Sequence, residues 1–513
     1  MFYAHASVGT LHIRPVLNMK SDEDIKNMRS ISEETFEMVK DYKGSHSGEH
    51  GDGIVRSEFH EMMFGKEITN AFEEIKDTFD SKNLLNPGKI VRPYKSDDRS
   101  LMRYKSNYKS EDIKTNYDWS EWGNFSDAIE MCNNNGACRK LDSGVMCPSY
   151  RVTKEEKDLV RGRANTLRLA LSNQLPRDSF VSKEMYETME LCVSCKACQR
   201  ECPMSVDMAK MKSEFLFHYY KKFSMSIKDR VISNMPKLIW LLKIVSPIFN
   251  KIKNIPLISD VIRKFGYATE REMPTVQNQF PLKEIYKSQI KSENKVILFA
   301  DTFNINFEIQ NLMYSIKVLN KFGYEVIIPS FDNDKLKRPL CCGRTYISYG
   351  QLDKAEKELN RFVNYILANG YYEIPIVGIE PSCLLTFSDE FKTLKNIKNR
   401  DKLKNKFYLL EEFILEQINE GNNVSSNKFD QDVLIHGHCH QKSQDRIKGL
   451  TGLLSKLNIN NKMIDSSCCG MAGSFGYSSK NYDVSKKMAN LSLIPAVNES
   501  TDKDFIVANG TSC

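Results

Sequence analysis

The spacing Cys192-x-x-Cys195-x-x-Cys198-x-x-x-Cys202-Pro203 restricts what this chain can fold into more than any other feature. Thiols this close together cannot staple four separate parts of a chain as disulfides. Three thiolates at this spacing can hold three irons of a 4Fe–4S cubane, and the fourth, before proline, then reaches a second cluster. The competing reading is zinc, whose sites rarely combine this spacing with a following proline. A second run, Cys132, Cys138 and Cys147-Pro148, is imperfect: Asn135 stands where a further ligand is expected. If the exchange holds, Cys192, Cys195, Cys198 and Cys147 make one complete cluster. Cys132, Cys138 and Cys202 then need a fourth group, or hold a three-iron cluster.

The chain has 14 Cys in 513 residues. Their tight grouping, and an opening without a secretory leader, predict metal ligation in a reducing, cytoplasmic setting rather than a disulfide framework. A hydrophobic content of 41% and a charged content of 27% describe a globular chain. The net charge of +7 gives little support to nucleic-acid binding. The positive charge is concentrated in residues 221–265, which are rich in Lys and Arg and contain only Asp229 and Asp260 as acids. No apolar run is long enough to span a bilayer. The best stretch, Leu238 to Phe249, is broken by Lys243 and Pro247. Its amphipathic pattern leaves two readings, a connector packed on its own domains or a peripheral contact with anionic lipid on the inner membrane face.

Beyond residue 291 short β-branched runs alternate with helical stretches, and the pattern occurs twice. The strand Val296 to Ala300 leads to Asp301, then Cys341-Cys342-Gly343, then the strand Ile374 to Ile379 and Cys383. The strand Val433 to Ile435 leads to His438-Cys439-His440, then Cys468-Cys469-Gly470, then the strand Phe505 to Ala508 and Cys513. Two α/β lobes related by duplication follow from this order. Cys439, Cys468, Cys469 and Cys513 form a second paired-Cys site for iron–sulfur or zinc, with His436, His438 and His440 as further ligands or proton donors. Cys341, Cys342 and Cys383 form a weaker first one.

At the other end, His5 and His12 share one extended stretch, and Ser47-Gly48-Glu49-His50-Gly51 follows. His5, His12 and Glu49 suit a divalent metal (zinc, manganese or iron). His50 beside it suits a general base near neutral pH. Helices are expected over about 21–40 and 57–81, the second stopping at Asn86-Pro87-Gly88.

These N-terminal residues, with Leu85-Asn86-Pro87-Gly88-Lys89, resemble the C-terminal end of FAD-linked oxidases of the D-lactate and D-2-hydroxyglutarate dehydrogenase type. That resemblance implies a divalent metal on His5, His12 and Glu49, His50 as catalytic base, and Asn86, Gly88 and Lys89 near the flavin. Thr10 departs from the Asn that many relatives carry. The Cys192 run and Arg161-Gly162-Arg163-Ala164 resemble the ferredoxin-like module of fused FAD/Fe–S D-lactate dehydrogenases. The two Cys-Cys-Gly motifs resemble cysteine-rich domains of heterodisulfide reductase and glycolate oxidase subunits. Glu380 and Gly510 replace the first Cys of the Cys-x-x-Cys ending found there.

The resemblance implies a multidomain chain. Residues 1–93 are the end of an FAD-linked oxidase domain, 94–118 a linker, and 119–225 an α-helical ferredoxin-type domain. Residues 226–290 form a basic connector, and 291–400 and 401–513 the two cysteine-rich α/β lobes. The expected activity is D-2-hydroxyacid oxidation, D-lactate first, with electrons passing through two Fe–S clusters to a quinone or cytochrome. The chain is expected to be a fragment or one half of a split enzyme, binding FAD tightly only with an FAD-binding domain or subunit. The rival readings are an electron-transfer subunit of a glycerol-3-phosphate or glycolate system, and a non-enzymatic iron–sulfur scaffold or sensor.

Overall fold

Alternating polar and apolar residues at the N-terminus fold as a hairpin, β1 (Phe2–His5) antiparallel to β2 (Thr10–Ile13), with Tyr3 opposite His12 and His5 opposite Thr10. The computed structural model describes residues 2–48, 50–142, 144–253, 255–277, 289–329, 338–422 and 429–513. They divide into two compact units, Met1–Lys109 and Ser110–Cys513.

In the first unit the stretch read as helical over 21–40 is the helix Asp22–Asp41. Ser21 starts it by accepting the Asp24 N–H, and Asp22, Glu23 and Asp24 complement the helix dipole. The single helix expected over 57–81 is broken. Gly65 takes φ 83° and ψ 164°, a backbone region essentially open to glycine alone. Short turns over 53–64 therefore give way to a separate helix, Lys66–Phe79.

The second unit starts with a helical module containing Phe125–Glu130, Pro148–Thr153, Val160–Leu171, Lys183–Glu190, Ala197–Glu201 and Met208–Lys222. A four-stranded parallel sheet follows, from β3 (Lys295–Phe299), β4 (Glu325–Ile327), β5 (Ile376–Gly378) and β6 (Phe407–Leu409), in the order β4-β3-β5-β6. A three-stranded parallel sheet holds β7 (Val433–His436), β8 (Asn461–Met463) and β9 (Phe505–Ala508), in the order β8-β7-β9. In both lobes the first strand is central, the second pairs on one side and the third on the other. The duplication read from the sequence is thus a duplication of topology, with β6 added to the first lobe.

Strand alternation explains why β3 reads as a continuous apolar run. Ile297 and Phe299 enter a core shared with Leu167 and Phe215 of the helical module, while Val296 and Leu298 enter a separate core with Leu312 and Phe413. A parallel strand buried on both faces needs apolar residues at every position. The first lobe and the helical module are therefore one packed body.

The basic stretch forms helices Ile227–Ser233, Met235–Ile252 and Pro256–Lys264. Ile232 and Ile239 are buried, whereas Leu241, Ile244, Val245 and Ile248 are exposed. Among the described residues no helix is long and apolar enough to cross a membrane.

Gly470 has φ 78°, and a Cβ there would meet the Ser485 carbonyl oxygen at 2.1 Å. Its counterpart Gly343 shares the φ of 78°, but a Cβ would lie 3.1 Å from Ala355. Gly470→Ala is expected to cost at least about 1–3 kcal/mol and Gly343→Ala less. Urea midpoints of the two variants check the order.

Candidate functional site

Parallel strands deliver ligands at their C-terminal ends, and here Cys439, Cys383 and Cys513 each sit just beyond such an end. Cys439 opens the helix Cys439–Ser443 after β7, and Cys383 lies in the helix Pro381–Ser388 after β5. Cys513 follows β9. The Cys-Cys pairs share one local geometry: Gly343 N–H donates to Cys341 Sγ and Gly470 N–H to Cys468 Sγ, each at 3.3 Å.

In the helical module Cys147, Cys192, Cys195 and Cys198 wall one small cavity, with Pro148 and Met208. The local fold explains how Cys147 reaches the other three. The Glu201 carboxylate, at the end of the Cys-run helix, accepts the N–H groups of Val145 (2.8 Å) and Met146 (3.1 Å). Lys140 pairs with it at 2.8 Å. Counter-charge is built in. The fully buried Arg163 donates to Cys147 Sγ (3.7 Å), Ser149 Oγ (3.2 Å) and the Thr188 carbonyl (3.0 Å). Lys212 donates to the Cys192 carbonyl at 2.5 Å. Burial, the largest cause, raises the Cys198 and Cys195 thiols well above their usual range, and for Cys195 the next cause is Cys439. Four thiols around one cavity, flanked by cations, fit the donor set of a 4Fe–4S cluster.

Cys132 and Cys138 lie together near Arg161, and burial lifts the Cys138 thiol to about 11. Cys202 is buried one residue past the helix Ala197–Glu201, which packs on the turn Ala137–Arg139 carrying Cys138. Asn135, at the missing-ligand position, is exposed and spends its Oδ1 on the Ala137 N–H. Asn134 is nearer, its Oδ1 3.8 Å from Cys132 Sγ.

In the second lobe Cys439, Cys468, Cys469 and Cys513 form a chain of adjacent thiols. His436 joins them: its ligand atom and those of Cys469 and Cys513 lie within 4.8 Å of one another. Its Nδ1 is held by Ser466 Oγ at 2.7 Å, so Nε2 faces the thiols. The other two histidines do different work. His440 Nε2 bonds the Ser194 carbonyl at 3.1 Å, inside the Cys192–Cys195 loop. His438 accepts the His440 N–H at Nδ1 and lies 4.0 Å from Glu380. Ser467 adds a bond to the Val145 carbonyl at 2.7 Å. The second paired site therefore leans directly on the wall of the four-Cys cavity.

In the first lobe Cys342 contacts Cys341 and Cys383. The Cys342 hydrogen bond lowers the Cys383 thiol, but burial together with the Asp301, Glu380 and Cys341 charges pushes that thiol up to about 12. Asp301, where the second lobe has Cys439, caps its helix by accepting the Phe303 and Asn304 N–H groups. Burial, then Glu380, raises its carboxyl to about 7.

The N-terminal unit brings three imidazoles together. The ring centroids of His5 and His12 are 4.8 Å apart, and those of His12 and His50 are 5.8 Å apart. A Cβ on Gly48 would lie 2.1 Å from Thr10 Oγ1, so the loop needs glycine to lie this close to the hairpin. Glu49 lies outside the described residues. Asn86 and Lys89 are exposed, and Gly88, at φ 74°, is buried beneath the Tyr94 ring.

Comparison with known proteins adds an independent line. Residues 1–90 match the family model for the C-terminal domain of FAD linked oxidases, 128–206 the 4Fe-4S dicluster domain, and 433–513 the cysteine-rich domain. The chain thus carries matches to these three domain models in that order. Relatives named D-2-hydroxyglutarate dehydrogenase, from Pseudomonas putida and Escherichia coli K12, are each 24% identical over 100% of this chain and 53% of their own length. The chain thus spans about half the length of these relatives. One subunit of the anaerobic glycerol-3-phosphate dehydrogenase of Escherichia coli K12 is 26% identical over 45% of the chain and 56% of its own length. No solved structure matches the chain.

Sequence reasoning missed the buried charges that join the Cys192–Cys198 loop to the first lobe. Lys196, only 1% exposed, pairs with Asp389 (2.7 Å) and Glu390 (2.6 Å). Lys210 reaches Asp389 (2.5 Å) and Asp207 (3.3 Å), and Arg344 reaches Glu390 (2.6 Å). Burial alone would raise the Asp389 carboxyl, but Lys196 and Lys210 outweigh it and hold it well below the usual range. The one local signal was a lysine between two closely spaced cysteines.

If the four-Cys cavity holds a cluster, Cys147→Ser costs roughly the iron of one cluster, while Asn135→Ser leaves the iron content unchanged. Iron and sulfide analysis after anaerobic purification checks both.

Proposed function

We propose that this chain is the iron–sulfur, electron-handling part of an FAD-linked D-2-hydroxyacid dehydrogenase. The observation that carries the reading is the cavity walled by Cys147, Cys192, Cys195 and Cys198, sharing the Ser194–Cys195 wall with the second paired-Cys site. FAD, when bound, accepts a hydride from the substrate carbon, and Fe–S clusters carry its electrons away singly. The residues of this chain do the rest. His50 takes the hydroxyl proton. His5, His12 and Glu49 would hold a divalent cation, which would supply a Lewis-acid contact for the substrate carboxylate and hydroxyl. The substrate, losing a proton to the base and a hydride to the flavin, leaves as a 2-oxoacid.

Asn86 and Lys89 are exposed and suit contact with a flavin held by a partner domain or subunit. Phe2, Leu11, Val16, Phe79, Leu84 and Leu85 are exposed in the same unit and suit that partner's surface. The domain division at 93, 118, 225 and 290 belongs to the same proposal, whereas the division expected at 400 moves past β6, which pairs with β5 of the first lobe. D-2-hydroxyglutarate is the first substrate to test, supported by relatives matching the whole chain. D-lactate, the substrate expected from the sequence, is supported by an Arabidopsis thaliana mitochondrial D-lactate dehydrogenase [cytochrome], similar over 18% of the chain.

A second reading, an electron-transfer subunit like that of the glycerol-3-phosphate enzyme, draws on the similarity over 45% of the chain. The grouping of His5, His12 and His50 favours the dehydrogenase, because a pure relay has no use for it.

We also place the chain at a membrane surface, close to a quinone acceptor. Leu241, Ile244, Val245 and Ile248 recur at helical spacing on an exposed face, with Lys237 and Lys251 exposed on the same helix. Such a face suits the interface of an anionic bilayer.

In the FAD-containing assembly, His50→Gln is expected to lower kcat for the hydroxyacid by at least about 10²-fold with iron content intact. A chain purified without oxygen that is colourless and iron-free ends the reading. For the membrane contact, the chain is expected to float with phosphatidylserine vesicles at low salt and to be released by Ile244→Glu with Ile248→Glu. Equal flotation by parent and variant refutes it.

A further inference from the structure

The first unit contains a second group of metal-type side chains that the proposed mechanism leaves unused. We propose that His46, Asp52 and His60 form a divalent-cation site separate from the His5, His12 and Glu49 set. One ligand atom from each of the three lies within 4.8 Å of the other two. His46 is 7% exposed and His60 is 3% exposed. Neither ring nitrogen of His46 makes a hydrogen bond, nor does the buried Asp52 Oδ1. The Arg56 backbone is near enough to act on the His46 charge, but outside hydrogen-bond geometry. Two nitrogens buried with no hydrogen bond are costly unless something else occupies them.

His60 supplies the second argument. Its Nδ1 lies 3.3 Å from the Ile90 carbonyl, which can only accept. Its Nε2 faces Asp52 Oδ2 at 2.7 Å. A neutral ring carries a single N–H and cannot donate to both acceptors, so meeting both takes an added positive charge at the ring. That charge is either a second proton on His60 or a metal ion. The unused nitrogens of His46 favour the ion, because a proton between His60 and Asp52 leaves them without a role. A carbonyl holding the far nitrogen of a ligating histidine is the usual support around such ions.

Two imidazoles and one carboxylate select a borderline cation such as Zn2+, Fe2+ or Mn2+, and disfavour Ca2+ and Mg2+, which take oxygen ligands. Aromatic rings enclose the group: Phe36 and Phe64 lie 5.4 and 5.7 Å from the His46 ring, and Phe64 lies 5.5 Å from the His60 ring. His46 and Asp52 also bracket Glu49 and His50 in the chain, so a bound ion clamps both ends of that loop. The site stands independently of whether His50 is a base.

The test uses the full chain with its iron loaded, treated with chelator and then titrated with Co2+. Against the parent, His46→Phe, which keeps the aromatic packing, and His60→Gln are each expected to lose one equivalent of tightly bound Co2+ and its nitrogen- and oxygen-ligand absorption. Their iron content stays at the parent value, and His5→Gln keeps that equivalent. Unchanged Co2+ stoichiometry in folded His46→Phe and His60→Gln overturns the proposal. Should neither variant fold, hydrogen exchange of the His5→Gln chain over residues 44–62 decides. Slowing on addition of Zn2+ supports the site, and unchanged exchange overturns it.

Discussion

A lysine lies between two cysteines of the cluster run with its ammonium group inside the protein, where an unpaired charge is not tolerated. Asp389 and Glu390 neutralise Lys196, and Lys210, Arg344 and Asp207 complete a group of three cations and three carboxylates. Those charges come from the cluster loop, the next helix, the turn after Cys341-Cys342-Gly343, and the segment after the Cys383 helix. Removing one partner of such a set strands the others in low dielectric. The cluster loop can therefore sit in only one place relative to the first lobe, and the cavity walls follow from that placement.

The wall built by Ser194 and Cys195 then meets the second lobe. His440 holds the Ser194 carbonyl, and Cys439 stands close enough to raise the Cys195 thiol. The second paired site is thus the neighbour of the four-Cys cavity. The first paired site is tied to the same loop by ion pairs rather than by thiols. Both sites lie beyond the C-terminal ends of parallel strands, where α/β sheets usually bind.

What could be read from the sequence was what local spacing or long apolar runs encode. The central strands β3 and β7, and the third strands β5 and β9, carry apolar runs long enough to see. The strands β4, β6 and β8 either lack the longer apolar flanks that made β5 visible or sit beside other apolar stretches, and Asn461 and Lys462 make β8 look like a loop. Gly65 was a visible breaker inside the stretch read as one helix, and its φ of 83° is the physical reason that helix divides. The spacing grouped Cys147 with Cys192, Cys195 and Cys198 but could not show that Glu201 draws Cys147 in. Nothing local marks Asp389 and Glu390 as partners of Lys196, because their pairing spans nearly two hundred residues. Nothing in their spacing marks His46 and His60 as a pair, and only the fold buries them together.

The segment after β9 shows what duplication left for the first lobe to do. Asn509 is tied to Glu411 at 2.8 Å, and the Thr511 N–H to Glu380 at 2.7 Å. Both acids belong to residues before β7, and Glu380 lies three residues before Cys383. The first copy of the repeat thus works as a mould. Whatever its own three cysteines hold, its carboxylates fix the position of Cys513, so a carboxylate in one half has become the clamp that aims a thiol in the other.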